Sequence, residues 1–224
     1  RRVAGETADF LRHGLSDGDL FISSLDADAD GHEGCTYVWT PAQLRAVLGD
    51  DDGRWAAGVF GVTEQGTFEH GSSVLQLPAD VGNAERLARV RAALLAARAQ
   101  RLQPARDDKI VTGWNGLAIT ALAEASVALD RPELAVAAQR CATALLDAHL
   151  VDGRLRRASL GGVVGESAAI LEDYAALATG LAALYQLSAE QNWLTAAVGL
   201  LDTTMAHFAD PDHPGRWFDT ADDA

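Results

Sequence analysis

Two short clusters hold the side chains from which chemistry could be built. The first is Asp107-Asp108-Lys109, followed closely by Trp114-Asn115. Two adjacent carboxylates beside an ammonium can be driven to different pKa values, so that one gives a proton while the other takes one. The Trp114 indole offers a flat face on which a sugar ring can stack, and the Asn115 amide sets a donor beside an acceptor. The second cluster, Glu172-Asp173-Tyr174, begins 58 positions after Trp114. It opens an otherwise almost wholly apolar stretch, where an unpaired buried carboxylate would be costly, so a cavity or a firm partner is expected. Asp107, Asp108, Glu172 and Asp173 are therefore the candidate acid/base groups, with Lys109, Trp114, Asn115 and Tyr174 as candidate ligand contacts. Both clusters also suit a purely structural role, because acidic side chains complement the dipole at a helix N-terminus. Hydrolysis of a glycosidic bond needs two carboxyl groups roughly 5–9.5 Å apart, and adjacent repeats could supply one each. Epimerisation would favour a histidine base, and none lies in these clusters.

Other sequence features carry less. Asp26-Ala27-Asp28-Ala29-Asp30-Gly31 imitates the first half of a calcium loop, but the bidentate glutamate required at position 12 is replaced by Tyr37. A solvated acidic hairpin loop is the expectation, and no metal or cofactor is predicted. His149 and His207 fall at the ends of predicted helices, where an imidazolium suits the dipole. Cys35 and Cys141 are far apart and form no C-x-x-C pair, which suggests two incidental thiols in a reducing compartment. No Walker loop, H-E-x-x-H run or Ser-His-Asp order is present.

The elements that must position the two clusters recur. Ala148-His149-Leu150 precedes Gly153-Arg154-Leu155, and Ala206-His207-Phe208 precedes Gly215-Arg216-Trp217, with a looser copy at Ala8-Asp9-Phe10 and Gly18-Asp19-Leu20-Phe21. Each copy reads as a helix end, a glycine turn and a short strand. Between them the sequence predicts helices over about 114–129, capped by Thr112, and 132–150, started by a capping box at Asp130-Arg131-Pro132-Glu133. Two more are expected over 168–187 and from Ser188-Gln191 onward, the last with Leu194, Ala197, Leu201 and Phe208 on its apolar stripe. A further helix is expected over 83–102. Helices apolar on most sides alternate with amphipathic ones, as the inner and outer rings of an α/α toroid would. A period near 58 exceeds that of common helical-pair solenoids, roughly 34–47 residues. The stretch 18–80 is predicted to be a small β-containing insertion in one toroid domain spanning 1–224. It should hold a hairpin between 20–25 and 36–39, a short helix from Thr40-Pro41-Ala42-Gln43 to about Leu48, and a β element near 66–77. The fold class is thus all-α, a partial α/α toroid of antiparallel helical hairpins.

Composition bounds the rest. With 18 Lys+Arg against 32 Asp+Glu the formal charge is −14, a field that repels polyphosphate and argues against a nucleic-acid partner. No apolar run is long enough to span a bilayer, and no signal peptide opens the chain, so a cytoplasmic location is expected. A start at Arg1 within a helix-like stretch suggests a segment of a longer protein, and a partial ring would be prone to self-association.

Three stretches resemble one family. They are Leu25-Asp26-Ala27-Asp28-Ala29-Asp30-Gly31-His32-Glu33-Gly34 leading to Tyr37-Val38-Trp39, then Asp107-Asp108-Lys109-Ile110 with Trp114-Asn115-Gly116-Leu117, and Leu171-Glu172-Asp173-Tyr174-Ala175. Together they resemble the YyaL family of thioredoxin-domain-containing proteins, related to the spermatogenesis-associated thioredoxin-like proteins. The resemblance implies a six-hairpin toroid similar to glycosidases and N-acylglucosamine 2-epimerases, joined in the parent to a thioredoxin-like domain that this chain lacks. A saccharide ligand is the expected partner. The alternative is a non-catalytic scaffold for the thioredoxin-like domain.

Overall fold

A computed structural model describes residues 1–223. Its helices are α1 (Arg2–Gly14), α2 (Pro41–Phe60), α3 (Ala84–Ala99), α4 (Thr112–Leu129), α5 (Pro132–His149), α6 (Leu171–Ser188) and α7 (Gln191–His207). Strands among the described residues are only two or three residues long, so the all-α expectation holds. The described residues divide into two compact units, one of residues 1–24 and 106–223, the other of residues 25–105. No helix of the described residues is long and apolar enough to cross a membrane.

In the first unit, α4–α5 and α6–α7 are consecutive antiparallel hairpins. The first hairpin turns at Asp130, which takes the left-handed conformation that ends α4, and Pro132 sets the first turn of α5. Helices α4 and α6 lie side by side and parallel. Their contacts climb both helices in step, from Gly113 against Asp173 to Gly116 against Ala176 and Leu177, and then to Ile119 against Gly180. Glycine permits this approach, since a Cβ on Gly116 would sit 2.6 Å from the Ala176 carbonyl carbon. Half of α4 and nearly half of α6 are consequently buried, whereas α5 buries one stripe: Leu134, Ala138, Cys141, Ala142, Leu145 and His149. The expected alternation of enclosed and amphipathic helices is therefore present, with α4 and α6 inner and α5 and α7 outer.

The repeated glycine turns follow two of the helices. After α5, Leu150–Val151 pairs with Arg154–Leu155 around Asp152-Gly153, both with positive φ (51° and 77°), the two-residue turn whose twist matches a hairpin. After α1, Ser16–Asp17 pairs with Leu20–Phe21, and after α7 a single bridge joins Ala209 to Trp217. A small sheet, not expected from the sequence, joins Lys109–Val111 to Ala158–Leu160 and Val163–Val164, with Ile110 opposite Ser159.

Several local readings are corrected. Thr112 lies inside α4 and caps nothing, because its hydroxyl donates to the Arg156 carbonyl at 2.6 Å. Asp130 and Glu133 make no capping box; Glu133 instead accepts from Arg131 at 2.7 Å. Helix α7 is rotated from its predicted stripe. It buries Trp193, Ala197, Leu200 and Thr204, while Leu201 is 48% exposed, because the bulky indole of Trp193 claims the interior.

The second unit packs Trp39, Leu44, Ala56, Phe60, Val62, Val90 and Leu94 into one core. Thr40 and Gln43 form the expected capping box of α2, with bonds of 3.2 and 2.9 Å. The helix continues past Leu48 to Phe60, kinked at Gly49, whose φ of 78° no helix interior supports. The predicted pairing of 20–25 with 36–39 is replaced by a local hairpin, Asp28–Ala29 with His32–Glu33. The β element expected near 66–77 reduces to one turn of 3-10 helix at Glu69–Gly71 and a bridge from Ser73 to Trp39. Arg101 lies 3.8 Å above the Trp39 ring and donates to the Thr36 and Val38 carbonyls, tying the end of α3 to the core.

The close approach of α4 and α6 gives a direct test. Gly116→Ala should lower stability by about 2 kcal/mol or more, since backbone must move to admit the methyl. Gly199→Ala, in α7 where an added Cβ would meet nothing within 4 Å, should instead gain up to about 1 kcal/mol. Urea denaturation midpoints measure both. Equal effects would contradict the packing described.

Candidate functional site at the starts of the inner helices

The first turns of α4 and α6 are joined by one side chain. Asp173 is buried, at 1% exposure, and its Oδ1 accepts from the Gly113 amide at 2.8 Å. Its Oδ2 accepts from the Ile170 amide at 2.9 Å and from Arg157 at 3.0 Å. A carboxylate thus answers two amides at helix N-termini and one guanidinium, the firm partners its burial requires.

The neighbouring polar groups are engaged in the same way. Asn115 is buried: its Oδ1 accepts from the Phe21 amide at 2.9 Å, and its Nδ2 donates to the Phe21 and Val111 carbonyls at 2.9 and 3.0 Å. It completes a strand edge. The Tyr174 hydroxyl, also buried, accepts from the Leu155 amide at 3.0 Å, pinning the Gly153 hairpin to α6. Asn115, Asp173 and Tyr174 are therefore each engaged with the chain itself.

The remaining candidates face outward. Asp107 pairs with Lys109 at 3.0 Å, and the hydrogen bond from that ammonium holds the Asp107 carboxyl below its usual range. Asp108 pairs with Arg106 at 2.9 Å. The two carboxylates thus turn to two different cations. Trp114 is 49% exposed, and Glu172 is exposed with no ion-pair or hydrogen-bond partner among the described residues. Because Gly113 and Asp173 are bonded, Trp114 and Glu172 stand on adjacent first turns. An exposed stripe continues from each, through Leu117, Ala121 and Glu124 on α4 and through Ala175 and Thr179 on α6.

Sequence reasoning missed a buried network beneath α4. His149 is fully buried between Thr112, 2.7 Å from its Nδ1, and Ser159, 2.9 Å from its Nε2. Since Thr112 donates to Arg156, the Nδ1–H donates to Thr112 and Nε2 accepts from Ser159. Burial lowers the His149 pKa, so the imidazolium expected at this helix end is replaced by a neutral ring. Burial likewise pushes the Cys141 thiol up to about 12, and both cysteines are free. Among the described residues, one His/Asp group comes within reach of a single ion: His207, Asp222 and Asp223. Arg154 already holds both Asp223 oxygens, at 2.6 and 2.8 Å. The Asp26–Asp30 carboxylates form no such group.

Paired helices with parallel inner members place the chain in the α/α-hairpin class. No protein-family model matches it. Spermatogenesis-associated protein 20 of mouse is 31% identical over 85% of this chain, and that of human 29% identical over 90%. The chain is thus homologous to spermatogenesis-associated protein 20, which bears out the resemblance to thioredoxin-domain-containing proteins; it spans about 30% of the mouse protein. Among solved structures, a sugar epimerase from a ruminal bacterium matches 63% of the chain and 41% of its own, at 18% identity and a TM-score of 0.46. Cellobiose 2-epimerase from Bacillus thermoamylovorans matches 94% and 55%, at 11% identity and the same TM-score.

The neutral His149 has a pH signature. Its folded pKa lies below the ordinary value of 6.5, so its contribution is complete above that pH and is lost as pH falls below it, where the unfolded chain protonates first. The urea midpoint of the wild type should therefore drop further between about pH 7.5 and about pH 5.5 than that of His149→Gln. Identical pH dependence would exclude a buried neutral ring.

Proposed function

We propose that the exposed first turns of α4 and α6 form a saccharide-contacting rim. The supporting observation is that an exposed indole, Trp114, stands beside the unpartnered carboxylate of Glu172 on a scaffold fixed from beneath by Asp173 and Asn115. A sugar ring presents apolar C–H faces and equatorial hydroxyls. A stacking face with an adjacent acceptor is the minimal pair that reads both. Lys109 and Asp107 add a donor and an acceptor at the strand entering α4. In this reading Glu172 is the carboxylate available for proton transfer. Asp107, held ionised by Lys109, serves as an acceptor or base rather than as an acid, and Asp108 beside Arg106 positions the loop.

A second reading is favoured by the pairing of Asp107, Asp108 and Asp173 within the chain. In it the rim is a scaffold for another domain of the full-length protein and performs no chemistry.

Calorimetric titration with mono- and disaccharides separates the two. The rim predicts saturable binding that Trp114→Ala weakens about tenfold, the worth of one aromatic platform of about 1–2 kcal/mol. Glu172→Gln should weaken it less. Absence of binding, or binding indifferent to both substitutions, would leave the scaffold reading.

A further inference from the structure

A cleft of about 290 Å³ opens in the first unit between the end of α1, the turn at Gly18-Asp19 and the first half of α5. Its floor includes Phe21 and the half-exposed Val136, and its walls carry Arg12 and Arg140. Neither arginine has an ion-pair or hydrogen-bond partner among the described residues.

The two acids nearest Arg12 make their direct bonds to Arg131. Glu133 lines the cleft but accepts from Arg131 at 2.7 Å, and the same guanidinium takes Asp9 at 2.7 Å. Arg131 thus takes the direct bonds of both carboxylates, which act on Arg12 only through space. With Asp19 the three carboxylates balance the three guanidiniums, so the cleft is neutral overall, and Arg12 and Arg140 are the cations left without a direct carboxylate contact. Guanidinium groups present planar, paired N–H donors that match an oxyanion, and a concave wall with an apolar floor reduces competition from water. The volume fits a compact ligand at the lower end of ordinary small-molecule sites, roughly 300 Å³.

We infer that this cleft binds a small ligand bearing an oxyanion, a phosphate or a carboxylate, held by Arg12 and Arg140 with its body against Phe21 and Val136. The site is separate from the rim of the inner helices and does not depend on the saccharide reading.

The test uses inorganic phosphate and gluconate as probes of the two oxyanion classes, each against sodium chloride at matched ionic strength. Binding is followed by calorimetry and by the shift in melting temperature. At least one probe should bind saturably and raise the melting temperature. Arg12→Gln and Arg140→Gln should each weaken that binding about tenfold, the loss of one charge-assisted contact of about 1.4 kcal/mol. Arg140→Lys should retain part of it. Binding of phosphate alone identifies a phosphate ligand, and binding of gluconate alone a carboxylate. No saturable binding of either probe, or binding unchanged in both glutamine variants while circular dichroism matches the wild type, would overturn the inference.

Discussion

The buried carboxylate of Asp173 is the contact on which the arrangement of the inner helices depends. A parallel pair of helices brings two N-termini together, and with them two sets of unbonded amides and two like-signed dipole ends. One anion placed between them answers both. Asp173 takes the Gly113 amide from α4 and the Ile170 amide at the start of α6, and Arg157 neutralises the charge that remains. With that anchor in place the glycines at 113, 116 and 180 can bring the two backbones into contact along their length.

The same device occurs one repeat earlier in neutral form. Asn115, 58 positions before Asp173, receives the Phe21 amide and returns a bond to its carbonyl. Each inner helix thus uses a side chain of its first turn to grip the structure preceding it. The grip spends the polar groups that chemistry might have claimed. What remains exposed is Trp114 and Glu172, whose neighbours in sequence are held too firmly to move. Any ligand at this rim meets a preorganised surface.

Much of this was legible in the sequence. Alternating periodicity separated inner from outer helices, and the recurring glycine turns marked the hairpins after α1 and α5. Both signals are local, and local chemistry dictates them. The role of the polar clusters was not legible in the same way. Glu172 and Asp173 are adjacent acids with equal propensities, and only the approach of α4 decides that one is buried and the other free. Arg157 and Ser159 were invisible for the same reason, since their partners lie 16 and 10 positions away across a hairpin. The continuation of α2 past Leu48 was hidden by Gly49, which kinks the helix without ending it.

The most direct measurement compares the stabilities of Asp173→Asn and Glu172→Gln by urea denaturation at neutral pH. The amide of Asp173→Asn can serve only one of the two backbone donors and leaves Arg157 without its anion. The expected loss is about 3 kcal/mol, the cost of stranding buried polar groups. Glu172→Gln, on the adjacent exposed position, should stay within about 0.5 kcal/mol of the wild type. Equal stabilities of the two variants would contradict the account, because Asp173 would then not be the anchor of the inner helices.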